Sequence, residues 1–118
     1  MKIQDLLLSL TLGGLPLLPS ALAADEGDVA VKGEIVDLVC YTDHGATGAE
    51  HADCAKTCIG LGLPVGLKGE DGKTYLLVGD HKSLNKDVAK YAAKTVTVKG
   101  KAVSRDGINM IENAQVSK

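Results

Sequence analysis

All three cysteines of this 118-residue chain lie in one short stretch, together with a histidine. The four residues are Cys40, His51, Cys54 and Cys58. A helix over residues 48–60 would carry the last three on one face, because they stand at positions i, i+3 and i+7. Thiolate and imidazole are the ligands that Cu(I) and Zn(II) select. The spacing therefore predicts a metal site with three cysteine ligands and one histidine ligand.

The cysteines also allow two interpretations without a metal. In the first, Cys40 pairs with Cys54 or Cys58, and the odd cysteine is a free thiol or a link to a partner. A disulfide closing a loop of about 15 residues would stabilise the domain by roughly 3 kcal/mol. In the second and less favoured interpretation, Cys54 and Cys58 are the exchanging pair of a thiol redox protein. The Cys-x-x-Cys signature of such proteins is absent.

Residues 1–23 are typical of a signal peptide. Lys2 gives a short positive start, the stretch Leu6–Leu18 is mainly apolar, and Ala21-Leu22-Ala23 fits the small-x-small cleavage rule. The apolar stretch contains glycine and proline and is shorter than the roughly 20 residues that a membrane span needs. We therefore expect cleavage before Ala24, export to the periplasm or the cell exterior, and no membrane span in the mature chain.

Residues 24–118 are expected to form one small domain. The whole chain has no Trp, no Phe and three Tyr, so its core must be built from aliphatic side chains. Residues 24–60 carry eight acidic and two basic side chains, whereas residues 61–118 carry six acidic and ten basic ones. The cysteines lie in the acidic half, which favours cations and disfavours a nucleic-acid partner.

Hydrophobic alternation and turn residues predict five strands and two helices, a mainly β fold of the α+β class. A long first strand is expected over 29–42, with Cys40 near its end. Thr47 and Glu50 match a capping box that would start the Cys/His helix. The other elements are strands over 63–68 and 74–79, a helix over 83–93, and strands over 95–104 and 108–116. Asp-Gly pairs at 71–72 and 106–107 predict two hairpin turns.

Without the first helix, this order of elements is that of the OB-fold, a five-stranded Greek-key barrel. The chain resembles small exported bacterial OB-fold proteins in the run Gly33-Glu34-Ile35-Val36-Asp37. It also resembles them in the run from Lys94 to Gly100 and in the following Gly107-Ile108. The resemblance implies an OB-like barrel with the Cys/His helix inserted between strands 1 and 2. Because it consists of structural residues, it implies no function.

The sequence thus predicts an exported, non-enzymatic metal-binding protein that handles copper or zinc. Its partner would be the metal ion itself or a metal-handling protein. The alternative is a disulfide-stabilised binding module without metal. Asp37 is a further residue of interest, because it either lies buried near the cysteines or occupies an unremarkable strand edge.

Overall fold

The structure is a computed structural model that describes Gly13, Gly14 and residues 26–118. The predicted signal peptide, residues 1–23, falls outside the described residues except for those two glycines. Within the described ranges, every helix falls short of the length and apolar character that a membrane span requires.

Five strands form a closed barrel in the order β1-β2-β3-β5-β4, with β4 returning to β1. Neighbouring strands are antiparallel except for the parallel pair β3 and β5. This is the OB-like barrel that the sequence predicts. The strands are β1 Gly27–Asp37, β2 Val65–Gly69, β3 Thr74–Leu77, β4 Thr95–Arg105 and β5 Ile108–Ser117.

The long strand β1 closes the barrel because it pairs with both β2 and β4. At Gly33 the two pairings overlap, since this residue stands opposite Gly69 of β2 and Val96 of β4. A Cβ atom at Gly33 would lie 2.3 Å from the carbonyl oxygen of Lys68. The glycine therefore permits a backbone approach that any side chain would block.

The barrel encloses an aliphatic core, as the shortage of aromatic residues predicts. Its fully buried members come from every strand and include Ile35, Leu67, Leu77, Val98 and Ile111. The core continues into the helix inserted between β1 and β2, through Ala55 and Ile59. This helix therefore packs on the barrel as part of the same hydrophobic cluster.

Two helices lie between β1 and β2, and a third lies between β3 and β4. The helices are α1 Leu38–His44, α2 Ala52–Gly60 and α3 Asn85–Val88. A 3₁₀ turn, Ala49–His51, leads into α2, and another, Ala89–Tyr91, follows α3. The predicted insertion of a Cys/His helix between strands 1 and 2 is confirmed, and α1 is an additional helix.

The predicted first strand was too long, because β1 ends at Asp37 rather than at residue 42. The Asp37 carboxylate accepts a hydrogen bond from the Val39 backbone N–H at 2.9 Å, and this cap starts α1. The helix ends at Gly45, whose φ of 70° is left-handed. Cys40 consequently lies on a helix and not on a strand.

The predicted capping box at Thr47 and Glu50 is also wrong. The 3₁₀ turn before α2 starts at Gly48, which has a φ of 83° and no side-chain cap. The Gly48 backbone N–H donates instead to the Glu34 carboxylate on β1, at 2.9 Å. A strand residue distant in sequence therefore takes the role that a local cap was expected to fill.

Candidate metal centre

The cysteines and the histidine meet between α1 and α2. One ligand atom each from Cys40, His51 and Cys54 lie within 4.8 Å of one another. A second group, with the same spacing, consists of Asp37, Cys40 and Cys58. Cys40 belongs to both groups. All four predicted ligands therefore take part in this arrangement, but among the described residues they form two overlapping groups rather than one.

Asp37 is held in place by the junction between β1 and α1. It pairs with Val65 of the neighbouring strand β2 and caps α1 through Oδ1, which accepts from the Val39 backbone N–H. The residue is only 1% exposed. Its second oxygen, Oδ2, is buried without a nitrogen or oxygen donor. The donors that face the carboxylate are the thiols of Cys40 and Cys58, whereas a buried carboxylate normally has stronger donors or a cation.

His51 has an orphaned atom as well. Its Nε2 is buried without a hydrogen-bond partner, although the side chain as a whole is half-buried. The His51 ring meets the ring of His44 edge to face, with centroids 6.4 Å apart. His44 itself is exposed, and its Nδ1 lies 3.3 Å from the Asp43 carboxylate.

The helix α2 presents its ligands beside the face that packs on the barrel. Ala55 and Ile59 are buried in the core, whereas Cys54 is exposed and Cys58 is half-buried. The end of α2 is fixed by Asn85 of α3. Its amide Nδ2 donates to the carbonyl oxygen of Ile59 at 2.8 Å. The same amide also donates to the carbonyl oxygen of Leu63, in the loop after α2, at 2.6 Å.

The thiols of Cys40 and Cys58 are held in their protonated form when no cation is bound. A hydrogen bond to the Asp37 carboxylate raises the pKa of Cys40 to about 12, and burial and the charge of Asp37 add to the effect. Burial raises the pKa of Cys58, and the charge of Asp37 raises it further. A thiol exchanger needs the opposite shift, because its nucleophile is the thiolate. The electrostatics therefore disfavour the thiol redox interpretation.

The donor set can bind a metal ion. Cysteine sulfur, histidine nitrogen and carboxylate oxygen are the three kinds of ligand that Zn(II) accepts, and thiolates and imidazole also suit Cu(I). Two half-buried thiols, an exposed thiol, a buried imidazole nitrogen and a buried carboxylate oxygen surround the junction of α1 and α2.

Sequence spacing alone found four of these five residues. For Asp37 the sequence allows either burial near the cysteines or an unremarkable strand edge, because the predicted strand continues past it. The signal that identifies it is the Asp-x-x-Cys spacing of Asp37 and Cys40, which on a capped helix brings both side chains to the first turn.

Comparison of the chain with protein-family models, with curated proteins and with solved structures gave no match.

Proposed function

We propose that this protein is an exported metal-binding protein that handles copper or zinc. Its ligands are Cys40, His51, Cys54 and Cys58. One observation carries the proposal. The sulfur atom of Cys40 has the ligand atoms of both donor groups within 4.8 Å.

The buried polar atoms at the cluster support this function. Nε2 of His51 is hidden from solvent and lacks a hydrogen-bond donor or acceptor. Such atoms are costly in a folded protein, and a coordinated cation removes the cost. The acidic character of residues 24–60 also favours cation binding.

Metal binding at this cluster requires that the thiols lose their protons. Each bound thiol releases a proton to solvent as its metal–sulfur bond forms, so affinity rises with pH. When bound, the ion links α1 to α2 and supplies a charge that offsets the Asp37 carboxylate. The protein's own contribution is to hold the donors in place through the Asp37 cap and the Asn85 contacts with the end of α2.

Elemental analysis combined with a thiol count tests the proposal. The full-length gene is expressed with export, the protein is purified without chelator, and metal and reactive thiols are both measured. We expect stoichiometric zinc or copper, with three thiols that react only after the metal is removed by a chelator. The Cys40→Ser variant, prepared in parallel, should lose most of the metal.

A disulfide is the competing outcome of the same measurement. The three cysteines are free in the structure, and Cys40 Sγ has the sulfur atoms of both Cys54 and Cys58 within 4.8 Å. A bond to either would require an approach to about 2.05 Å. One reactive thiol and no metal in the purified protein would select the disulfide-stabilised module.

Export is tested separately. Intact mass and amino-terminal sequencing of the protein from the exported fraction should give a chain that starts at Ala24. A full-length chain found only inside the cell would contradict export without bearing on metal binding.

A further inference from the structure

We propose that Asp37 is a metal ligand and that the cluster binds two zinc ions, with the Cys40 thiolate shared between them. One ion is bound by Cys40, His51 and Cys54, and the other by Asp37, Cys40 and Cys58. This inference rests on the proposed metal-binding function and specifies the metal, the number of ions and an additional ligand.

The burial of Asp37 supports its role as a ligand. At 1% exposure, the carboxylate has lost its hydration, and Oδ1 has regained a hydrogen bond from the Val39 backbone N–H. One carboxylate oxygen lies within 4.8 Å of the sulfur atoms of Cys40 and Cys58, and these thiols are the hydrogen-bond donors that face the carboxylate in the metal-free protein. A cap needs only one carboxylate oxygen, so the cap alone does not account for the burial of the second. A cation bound by the carboxylate and the two thiolates supplies the opposite charge that this buried group lacks.

The arrangement of the donors favours two ions. A Zn–S bond is about 2.3 Å and a Zn–O bond about 2.0–2.2 Å, so the donors of one ion lie within about 4.6 Å of one another. Each three-donor group is close to this limit, whereas the five donors are not all within 4.8 Å of each other. One ion would therefore leave some donors unused. A thiolate has enough lone pairs to bind two ions, and Cys40 is the residue common to both groups.

Charge and ligand type favour zinc over copper. Three thiolates and one carboxylate carry four negative charges, which two Zn(II) ions neutralise. Two Cu(I) ions would leave two negative charges uncompensated beside a buried carboxylate. Carboxylate oxygen is an ordinary ligand of Zn(II), whereas Cu(I) selects soft thiolate and thioether sulfur. Binding involves no oxidation, because the thiols only release their protons to solvent.

Native mass spectrometry and chelator competition with zinc chloride test the inference. The full chain is kept reduced and is titrated with zinc alone. We expect two zinc ions per wild-type chain and one per chain of the Asp37→Asn variant. An amide oxygen at this position can still accept from the Val39 N–H, so the start of α1 is preserved. Circular dichroism and thermal unfolding check that the variant is folded.

Three further variants complete the test. Cys58→Ser removes a ligand of the second ion only and should also bind one zinc ion. This variant tests the two-ion inference even if Asp37→Asn fails to fold. Cys54→Ser should bind one ion through the other group. Asp43→Asn, which changes an exposed acid on α1, should bind two.

The possible results separate the two proposals. Wild-type protein that binds no metal would overturn the proposed function and this inference together. Wild-type protein that binds a single zinc ion would overturn the two-ion inference and leave the proposed function standing, whatever the affinity of Asp37→Asn. Two ions in both wild type and Asp37→Asn would exclude Asp37 as a ligand.

Discussion

The carboxylate of Asp37 and the thiol of Cys40 lie within 4.8 Å of one another, at opposite ends of the first turn of α1. One oxygen of the carboxylate starts the helix, and the other is buried. The residue that ends the first strand is thus also the one that sets the electrostatics of the cysteines. Fold and candidate site share this single side chain.

Cys40→Ser should weaken metal binding more than Cys54→Ser or Cys58→Ser does. The reason is that Cys40 belongs to both donor groups, whereas each of the other cysteines belongs to one. We expect its loss to lower zinc affinity by more than about 100-fold, since ligand loss exceeds the roughly 10–100-fold effects of groups that only support ligands. Competition with a chromophoric chelator measures the zinc affinity of all three variants. Equal effects of the three substitutions would contradict the shared role of Cys40.

The metal-free protein should lose stability as the pH rises above the ordinary thiol range. An unfolded cysteine ionises near pH 9.0, but the folded Cys40 retains its proton because its pKa is raised to about 12. Between these values the folded state binds more protons than the unfolded state. The stabilisation is therefore complete below about pH 9 and decreases as the pH rises toward 12.

Urea unfolding of the reduced, metal-free protein between about pH 8 and about pH 10.5 measures this decrease. The Cys40→Ser variant is the control, because it lacks the thiol. Lys101, whose pKa is raised by its contact with Glu26, adds a change of the same sign in both proteins. Only the difference between wild type and variant in how the free energy of unfolding changes with pH is therefore assigned to Cys40. Parallel curves would show that its pKa is not raised.

Asn85→Ala should lower the free energy of unfolding by about 2 kcal/mol, because the carbonyl oxygens of Ile59 and Leu63 each lose a hydrogen bond from the Asn85 amide. Ser83→Ala is a matched control. Its hydroxyl accepts from the Asn85 backbone N–H and donates to the Asn85 side chain, so both of these hydrogen bonds stay within residues 83–85. We expect a smaller loss of about 1 kcal/mol for this variant. Urea denaturation compares the stability of the two variants. Equal losses of stability would contradict a stabilising hydrogen bond from Asn85 to α2.

Gly33→Ala should destabilise the barrel by about 1–3 kcal/mol, because the added Cβ meets the Lys68 carbonyl oxygen of β2. Gly60→Ala, in the last turn of α2, introduces the same methyl group into open space. Its stability should be unchanged or raised by up to about 1 kcal/mol. Thermal unfolding distinguishes the two variants. A neutral Gly33→Ala would mean that β1 can move away from β2 at this point.

Most of the barrel could be predicted from sequence because its signals are local. Alternating aliphatic residues mark β4, and the Asp71-Gly72 and Asp106-Gly107 pairs lie in the turns that join β2 to β3 and β4 to β5. The end of β1 could not be found in this way. Leu38 and Val39 favour a strand by propensity, yet the cap at Asp37 turns them into helix.

The candidate site was predicted in composition but not in arrangement. The helical spacing of Cys54 and Cys58 correctly places both on α2. Their division between two donor groups depends on how α1 lies relative to α2, which no local pattern encodes. The hydrogen bond from the Gly48 backbone N–H to the Glu34 carboxylate escaped prediction for the same reason, because the two residues are remote in sequence.

The position of the donors along the chain also bears on the order of folding. All five donors fall within residues 37–58, whereas the barrel closes through pairing of β1 with β4, as between Val31 and Val98. Contacts between near neighbours in sequence close shorter loops and form sooner than distant ones. Under the proposed function, a bound metal ion would therefore organise the α1–α2 segment while the last strands are still unpaired.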